Sequence, residues 1–195
     1  MEWGALRVFN DDKIAPNSGF PMHSHQEMEI VTIMLAGSLT HNDSMGNTRK
    51  ISAGDIQYMS AGTGVIHSEM NTEDSPVSLY QLWFYPIKSG IPPHYQEHAY
   101  EHMEEKGLHL LMSPDGRNGS IKANTDSILL YGNLLPGGTH TRELKEHNQV
   151  LIYMKKGELT VGEECIQEGD QLRIHGEILL KYTVKKASEF IMVIS

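Results

Sequence analysis

The chain of 195 residues has one cysteine, Cys165. No intrachain disulfide can form, and nothing around that thiol would lower its pKa, so a thiol nucleophile is not expected. Apolar runs long enough for a helical membrane span are absent. The opening Met1-Glu2-Trp3-Gly4 has no basic segment leading into an apolar stretch, so no secretory signal is expected and a reducing, cytoplasmic setting is. Positive charge is scarce, with 16 Lys and Arg against 25 Asp and Glu and a net charge of −9. The pairs Arg49-Lys50, Lys155-Lys156 and Lys185-Lys186 read as solvated turns, and direct nucleic-acid binding is not expected. Gly62-Thr63-Gly64 is followed by no lysine and opens no helix, which excludes a phosphate loop. No nucleophilic triad is visible.

Helix signals are few as well. What is present is a series of short apolar segments separated by Gly, Pro, Asn and Asp. Met28–Leu35, Ser38–His41, Ile56–Ser60, Val65–Met70 and Leu79–Tyr85 read as strands, with turns at Ala36-Gly37, Asn42–Asn47, Ala53-Gly54-Asp55 and Ala61–Gly64. That spacing predicts an all-β barrel or sandwich. The stretch after Pro92-Pro93 differs: it is polar and rich in His and Glu, and Glu97–Lys106 is expected to form a short helix stopped by Gly107.

The strand pattern then recurs. Met154–Thr160 echoes Met34–Thr40, and Glu168-Gly169-Asp170 echoes Ala53-Gly54-Asp55, at offsets of 120 and 115 residues. Two related β units explain the length. The expected division is a first barrel over 1–90, a connector with a short helix over 91–125, and a second barrel over 126–195.

Chemistry concentrates in the first copy. His23-Ser-His25 and His67-Ser-Glu69 are two pairs at i, i+2. In a strand, such residues point the same way, about 6–7 Å apart. Two strands facing each other could bring three imidazoles and one carboxylate to one ion, a donor set that suits Fe(II), Mn, Ni, Co, Cu or Zn. Carrying the same positions into the second copy by the two offsets gives Glu143, Lys145, Tyr182 and Val184, which cannot bind a metal in that geometry. The metal site is therefore expected in the first barrel only. Four ligands on a six-coordinate ion would leave two positions open, with Glu69, as a carboxylate ligand, placed to take a proton during substrate binding. The strands Met28–Leu35 and Leu79–Tyr85 would wall a dry pocket.

Other candidates fit quieter roles. Glu29 shares the parity of His23 and His25 and could face the same interior, either as a ligand or as an acceptor that orients a histidine N–H. His41 reads as structural. His94, His98, His102 and His109 read as a solvated face, and His140, His147 and His175 lack an i+2 partner. Met22, Met59 and Met70 read as core or pocket lining.

Gly19-Phe20-Pro21-Met22-His23-Ser24-His25 with Glu29 and Gly37 resembles the first cupin motif, and Gly54–Glu69 resembles the second. The runs Ala5–Asp12, His41–Asn47 and Met59–Gly62, followed by His67-Ser68-Glu69, are more specific and resemble the pirin family, in particular bacterial pirin-like quercetinases. The likeness is dense over residues 5–85 and looser beyond. It implies a bicupin, two jelly-roll-type β-barrels in one chain, with metal in the first. The implied ligands are His23, His25, His67 and Glu69, which favours the acceptor role for Glu29, and the implied metal is Fe(II). Pirins carry a further N-terminal segment, and this chain starts within the corresponding region. The implied activity is a metal-dependent, quercetin 2,3-dioxygenase-type cleavage of a flavonol or related enol by dioxygen. The alternative implied by the family is a non-enzymatic iron- or redox-sensing regulator that acts through a protein partner. A Zn- or Mn-dependent isomerase is a third reading.

Overall fold

The computed structural model describes residues 3–100 and 105–195. Its strands are β1 (Leu6–Ile14), β2 (Ser18–His25), β3 (Glu29–Ala36), β4 (Ser38–Asp43), β5 (Thr48–Ser52), β6 (Asp55–Ser60), β7 (Val65–Asn71), β8 (Val77–Phe84) and β9 (His94–Ala99). Then follow β10 (Gly107–Ser113), β11 (Ile121–Lys122), β12 (Ile128–Leu134), β13 (Thr139–Glu143), β14 (Gln149–Val161), β15 (Glu164–Gln167), β16 (Gln171–His175) and β17 (Leu179–Ile194). A 3-10 turn at Arg117–Gly119 is the one helical element among the described residues. No helix there is long and apolar enough to cross a membrane.

The chain divides into two compact units. The first comprises Met1–Glu101 with Ala123–Asp126, and the second His102–Lys122 with Ser127–Ser195. In the first, a five-stranded sheet runs β1-β8-β3-β6-β9 and a four-stranded sheet runs β2-β7-β4-β5. Side chains from both sheets share one apolar cluster of Ile14, Met34, Leu39, Ile51, Val77 and Leu79. A second cluster gathers Ile30, Met59, Ala61 and Val65, with Met28, Met45, Trp83 and Tyr95 against it. Each fully buried aliphatic contributes about 1.5–3 kcal/mol relative to exposure. The buried residues also include a polar group: Thr32, Gln57 and Gln81 form one row across β6, β3 and β8, while His41, His67 and Glu69 lie on β4 and β7.

The second unit is built on one sheet, β11-β10-β12-β17-β14-β15, with β13 paired to β17 and β16 to β14. Its core is apolar, running from Leu130 and Val150 through Leu180 and Tyr182 to Phe190 and Ile194.

The expected helix over Glu97–Lys106 does not form where the chain is described. Glu97–Ala99 completes β9, antiparallel to β6, and Gly107 begins β10. Residues 101–104, including His102, lie outside the described residues. The His/Glu composition that suggested a solvated helix belongs to a sheet edge, where polar side chains such as the exposed His94 and Glu97 suit an unpaired strand border. Of the remaining stretch 91–125, Gly107–Ser113 pairs with β12 and Ile121–Lys122 with β10.

Candidate metal centre

β2 and β7 are not strands facing each other across an interior. They are ladder neighbours in one sheet, with His23 opposite His67 and His25 opposite Val65. The i, i+2 spacing still aims His23 and His25 to one side, and a bulge between Phe20 and His23 sets their register. The imidazole centroids lie 4.8 Å apart for His23–His25, 4.4 Å for His23–His67 and 5.0 Å for His25–His67. One ligand atom from each of these three lies within 4.8 Å of the other two.

Glu69 belongs to a second such group, with His67 and His41. His67 is common to both. Glu69 is buried, and its Oε1 accepts from Gln57 Nε2 at 3.2 Å and its Oε2 from Gln81 Nε2 at 2.9 Å. Gln81 is set in turn by Trp83, whose Nε1 donates to Gln81 Oε1 at 2.9 Å. Tyr95 Oη lies 3.1 Å from Gln57 Oε1 and 2.6 Å from Glu97 Oε1. The indole of Trp83 also meets His25 edge-on, with centroids 4.9 Å apart. Thus the five-stranded sheet supplies the groups that hold the carboxylate, and the four-stranded sheet supplies the imidazoles.

The electrostatics favour neutral rings. Burial, with the neighbouring His23, pushes His25 down to about 4. Burial, with His23, His25 and His41, pushes His67 down to about 3. Neutral imidazoles are the form that binds a cation. Burial raises the Glu69 carboxyl, opposed by the amides of Gln81 and Gln57 and by the nearby histidines.

His23 Nδ1 lies 2.8 Å from Pro21 O. A carbonyl only accepts, so Nδ1 carries the hydrogen and Nε2 keeps its lone pair. His67 Nε2 is buried and has no hydrogen-bond partner. Leaving such an atom unpaired costs about 1–3 kcal/mol. A cation bound among these three rings removes that penalty, so the residues present fit a metal ion of the imidazole-binding class.

Glu29 does not orient a histidine. It is buried and accepts from the hydroxyl of Tyr58, from Ser60 Oγ at 2.9 Å and from Asn124 Nδ2 at 3.4 Å. Burial raises its carboxyl despite these donors. His41, expected to be structural, is buried beside the site with its Nδ1 3.5 Å from His67 Nδ1. Its signal was available: His41-Asn-Asp43 has the same i, i+2 spacing as His23-Ser-His25 and His67-Ser-Glu69. Gln57, Gln81 and Trp83 carried no local signal, because their relevance depends on which sheet row faces Glu69. His94 and His98 lie on β9, and His109 Nε2 bonds Glu105 O at 3.1 Å.

Residues 1–84 match the family described as Pirin, and residues 110–193 match the quercetinase C-terminal cupin domain. The chain is 37% identical over 193 residues to quercetin 2,3-dioxygenase of Escherichia coli (strain K12), spanning 98% of this chain and 83% of that protein. It is 33% identical over 195 residues to a pirin-like protein of Caulobacter vibrioides, spanning 99% of this chain and 84% of that protein. Bacterial pirin YhhW from Escherichia coli, solved in complex with nickel(II), has a TM-score of 0.94 at 36% identity, with 100% of this chain and 83% of that one covered.

Proposed function

This chain belongs to the pirin family, and from that premise we propose that it is a metal-dependent dioxygenase that opens a flavonol or a related enol. The observation that carries the proposal is the buried His67 Nε2, which lacks any hydrogen-bond partner and sits in a group with His23 and His25. The proposed ligands are His23, His25, His67 and Glu69. The proposed ion is Fe(II), with Ni(II) the ion bound by the YhhW relative and Mn, Co, Cu or Zn accepted by the same donors.

When bound, an ion held by these residues would supply Lewis-acid chemistry that lowers the pKa of a substrate hydroxyl. The protein's own residues do the rest. Glu69 accepts the hydroxyl proton, a role consistent with burial raising its proton affinity. Gln57 and Gln81 hold both carboxylate oxygens, so the carboxyl keeps its orientation as its charge changes. The Trp83 ring beside His25 gives a flat substrate an aromatic wall. His23 and His25 are only partly buried, which leaves that side of the group open for substrate, while His67 and Glu69 close the other.

The test is oxygen consumption with quercetin by metal-stripped protein reloaded with Fe(II) or Ni(II). Turnover is expected on reloading, and both His67→Ala and Glu69→Gln abolish it. Lack of turnover with every common divalent metal would reject the dioxygenase reading.

A further inference from the structure

We propose that His41, held by Asp43, is a positioning residue that fixes the tautomer and ring plane of His67, so that His67 Nε2 presents its lone pair to the metal. This rests on the ligand reading given above and adds to it a residue that never touches the ion.

The chain of donors follows from which atoms can only accept. The Asp43 carboxylate takes a backbone N–H from Met45 at 2.9 Å and from Asn47 at 3.0 Å on Oδ1, and the Asn47 side-chain amide at 2.7 Å on Oδ2. Burial opposes its charge, but the Asn47 amide, the His41 ring and the Asn47 backbone N–H hold its carboxyl below the usual range. His41 Nε2 lies 3.1 Å from the same Oδ2. An ionised carboxylate cannot donate, so His41 Nε2 carries the hydrogen. In neutral His41, Nδ1 is then a bare acceptor, and His67 Nδ1 stands 3.5 Å from it. Of two facing nitrogens one must donate, so His67 carries its hydrogen on Nδ1. Its Nε2 is left unprotonated, and that is the buried atom with no partner.

The fold builds this relay deliberately. β4 pairs with β7 so that His41 lies opposite Glu69 and Asp43 opposite His67. Asp43 also starts the β4–β5 turn, which ties the relay's anchor to that turn. The His41 ring packs against Tyr95, with centroids 4.8 Å apart and the planes tilted by 30°, which limits its rotation. In the second unit Val161 stands at the position matching His41, counting from Gly157 as from Gly37. Partners of metal-bound histidines of this kind change affinity by about 10–100-fold when lost.

The experiment measures two quantities on wild type, His41→Leu, His41→Gln and Asp43→Asn: Ni(II) affinity by competition with a chromophoric chelator, and histidine tautomers in the metal-free proteins by nitrogen-15 NMR. Wild type should show His67 protonated on Nδ1 and His41 on Nε2. His41→Leu and Asp43→Asn should weaken Ni(II) by about 10–100-fold. In Asp43→Asn the amide can donate to His41, so part of the His67 population should move its hydrogen to Nε2. His41→Gln, whose amide can both accept from His67 and donate to Asp43, should restore affinity to within about threefold of wild type. His67 protonated on Nε2 in metal-free wild type would overturn the proposal even if no variant folds. Equal Ni(II) affinity in wild type and folded His41→Leu would overturn the positioning role alone. Wild type that takes up no Ni(II) would instead overturn the ligand reading, and this proposal with it.

Discussion

The two β units share their turns and differ in what they bury. In the first, Gly54 N donates to Met34 O at 3.0 Å, and Ser52 N to Asp55 Oδ2 at 2.8 Å. In the second, Gly169 N donates to Met154 O at 2.9 Å, and Gln167 N to Asp170 Oδ2 at 2.8 Å. Leu39 and its counterpart Leu159 are both fully buried. From there the interiors diverge. Thr40 pairs with Met70 and Thr160 with Thr183, so His67 and Glu69 correspond to Leu180 and Tyr182. Arg142 lies opposite Leu180 as His23 lies opposite His67, which matches His25 to Leu144. Fixed offsets along the sequence miss these partners by one or two residues, because the loops between matched strands differ in length.

Leu180, Tyr182 and Val161 are core residues of the second unit, and Leu144 packs against them. The first unit places a histidine or a carboxylate at each of those four positions. It keeps an unpaired nitrogen and a buried carboxylate that an apolar filling would avoid. The same framework is built around a plain core in the second unit, so the polar interior is not a demand of the fold. Local rules broken without a structural gain mark a functional site.

The largest effect that sharpens this contrast is loss of His67, the proposed ligand common to both groups. His67→Ala should reduce Ni(II) or Fe(II) binding, read by elemental analysis after dialysis, from one equivalent to none, while far-ultraviolet circular dichroism stays unchanged. The reverse substitution, Leu180→His, puts an imidazole where the second unit keeps a core leucine. It should cost about 2–4 kcal/mol in urea unfolding, from lost packing and an unpaired polar group, and should add no second metal equivalent.

The matched turn glycines come next. A Cβ on Gly157 would lie 2.3 Å from Ala187 O, whereas one on Gly37 would meet Val77 Cγ2 at 3.0 Å. Both have positive φ, 90° and 75°. Gly157→Ala should therefore destabilise by about 2–4 kcal/mol and Gly37→Ala by about 1–2, since backbone strain is common to both, while the nearest backbone atom lies at 2.3 Å for Gly157 and at 3.3 Å for Gly37. Equal losses in chemical denaturation would break the distinction.

The smallest effect is in pH. His25 and His67 titrate near 4 and 3 when folded and near 6.5 when unfolded. Between those values the unfolded chain binds more protons, so metal-free protein loses stability as pH falls below about 6.5, until the folded-state values are reached. The Tm should drop by a few degrees from pH 7 to pH 5, and by less in His67→Leu. Bound metal should deepen the acid dependence, because protons compete for the same nitrogens.

Most of the strand framework was legible from the sequence, because β-branched runs such as Ile30–Ile33 end at glycine turns and lie in central strands. The His23/His25 and His67/Glu69 pairs were legible for a related reason: period-2 spacing survives whatever the strands pair with. What was hidden depended on register between strands. His41 matters because β4 lies beside β7, and Gln57 and Gln81 matter because their row faces Glu69 from the other sheet. Glu29 shares parity with His23 and His25, but its carboxyl is taken up by Tyr58, Ser60 and Asn124, the last of which arrives from a distant part of the chain. The segment at β9 misled because an exposed edge strand and a solvated helix use the same polar residues.

Anomalous diffraction from metal-loaded crystals, collected at the absorption edge of the added ion, addresses the ligand set most directly. One peak per chain is expected, bonded to His23, His25, His67 and Glu69 at about 2.0–2.2 Å. His41 should stay uncoordinated, with its Nδ1 toward His67, and no peak should appear among Leu144, Val161, Leu180 and Tyr182. A peak that engages His41 in place of Glu69, or no peak at the three imidazoles, would contradict it.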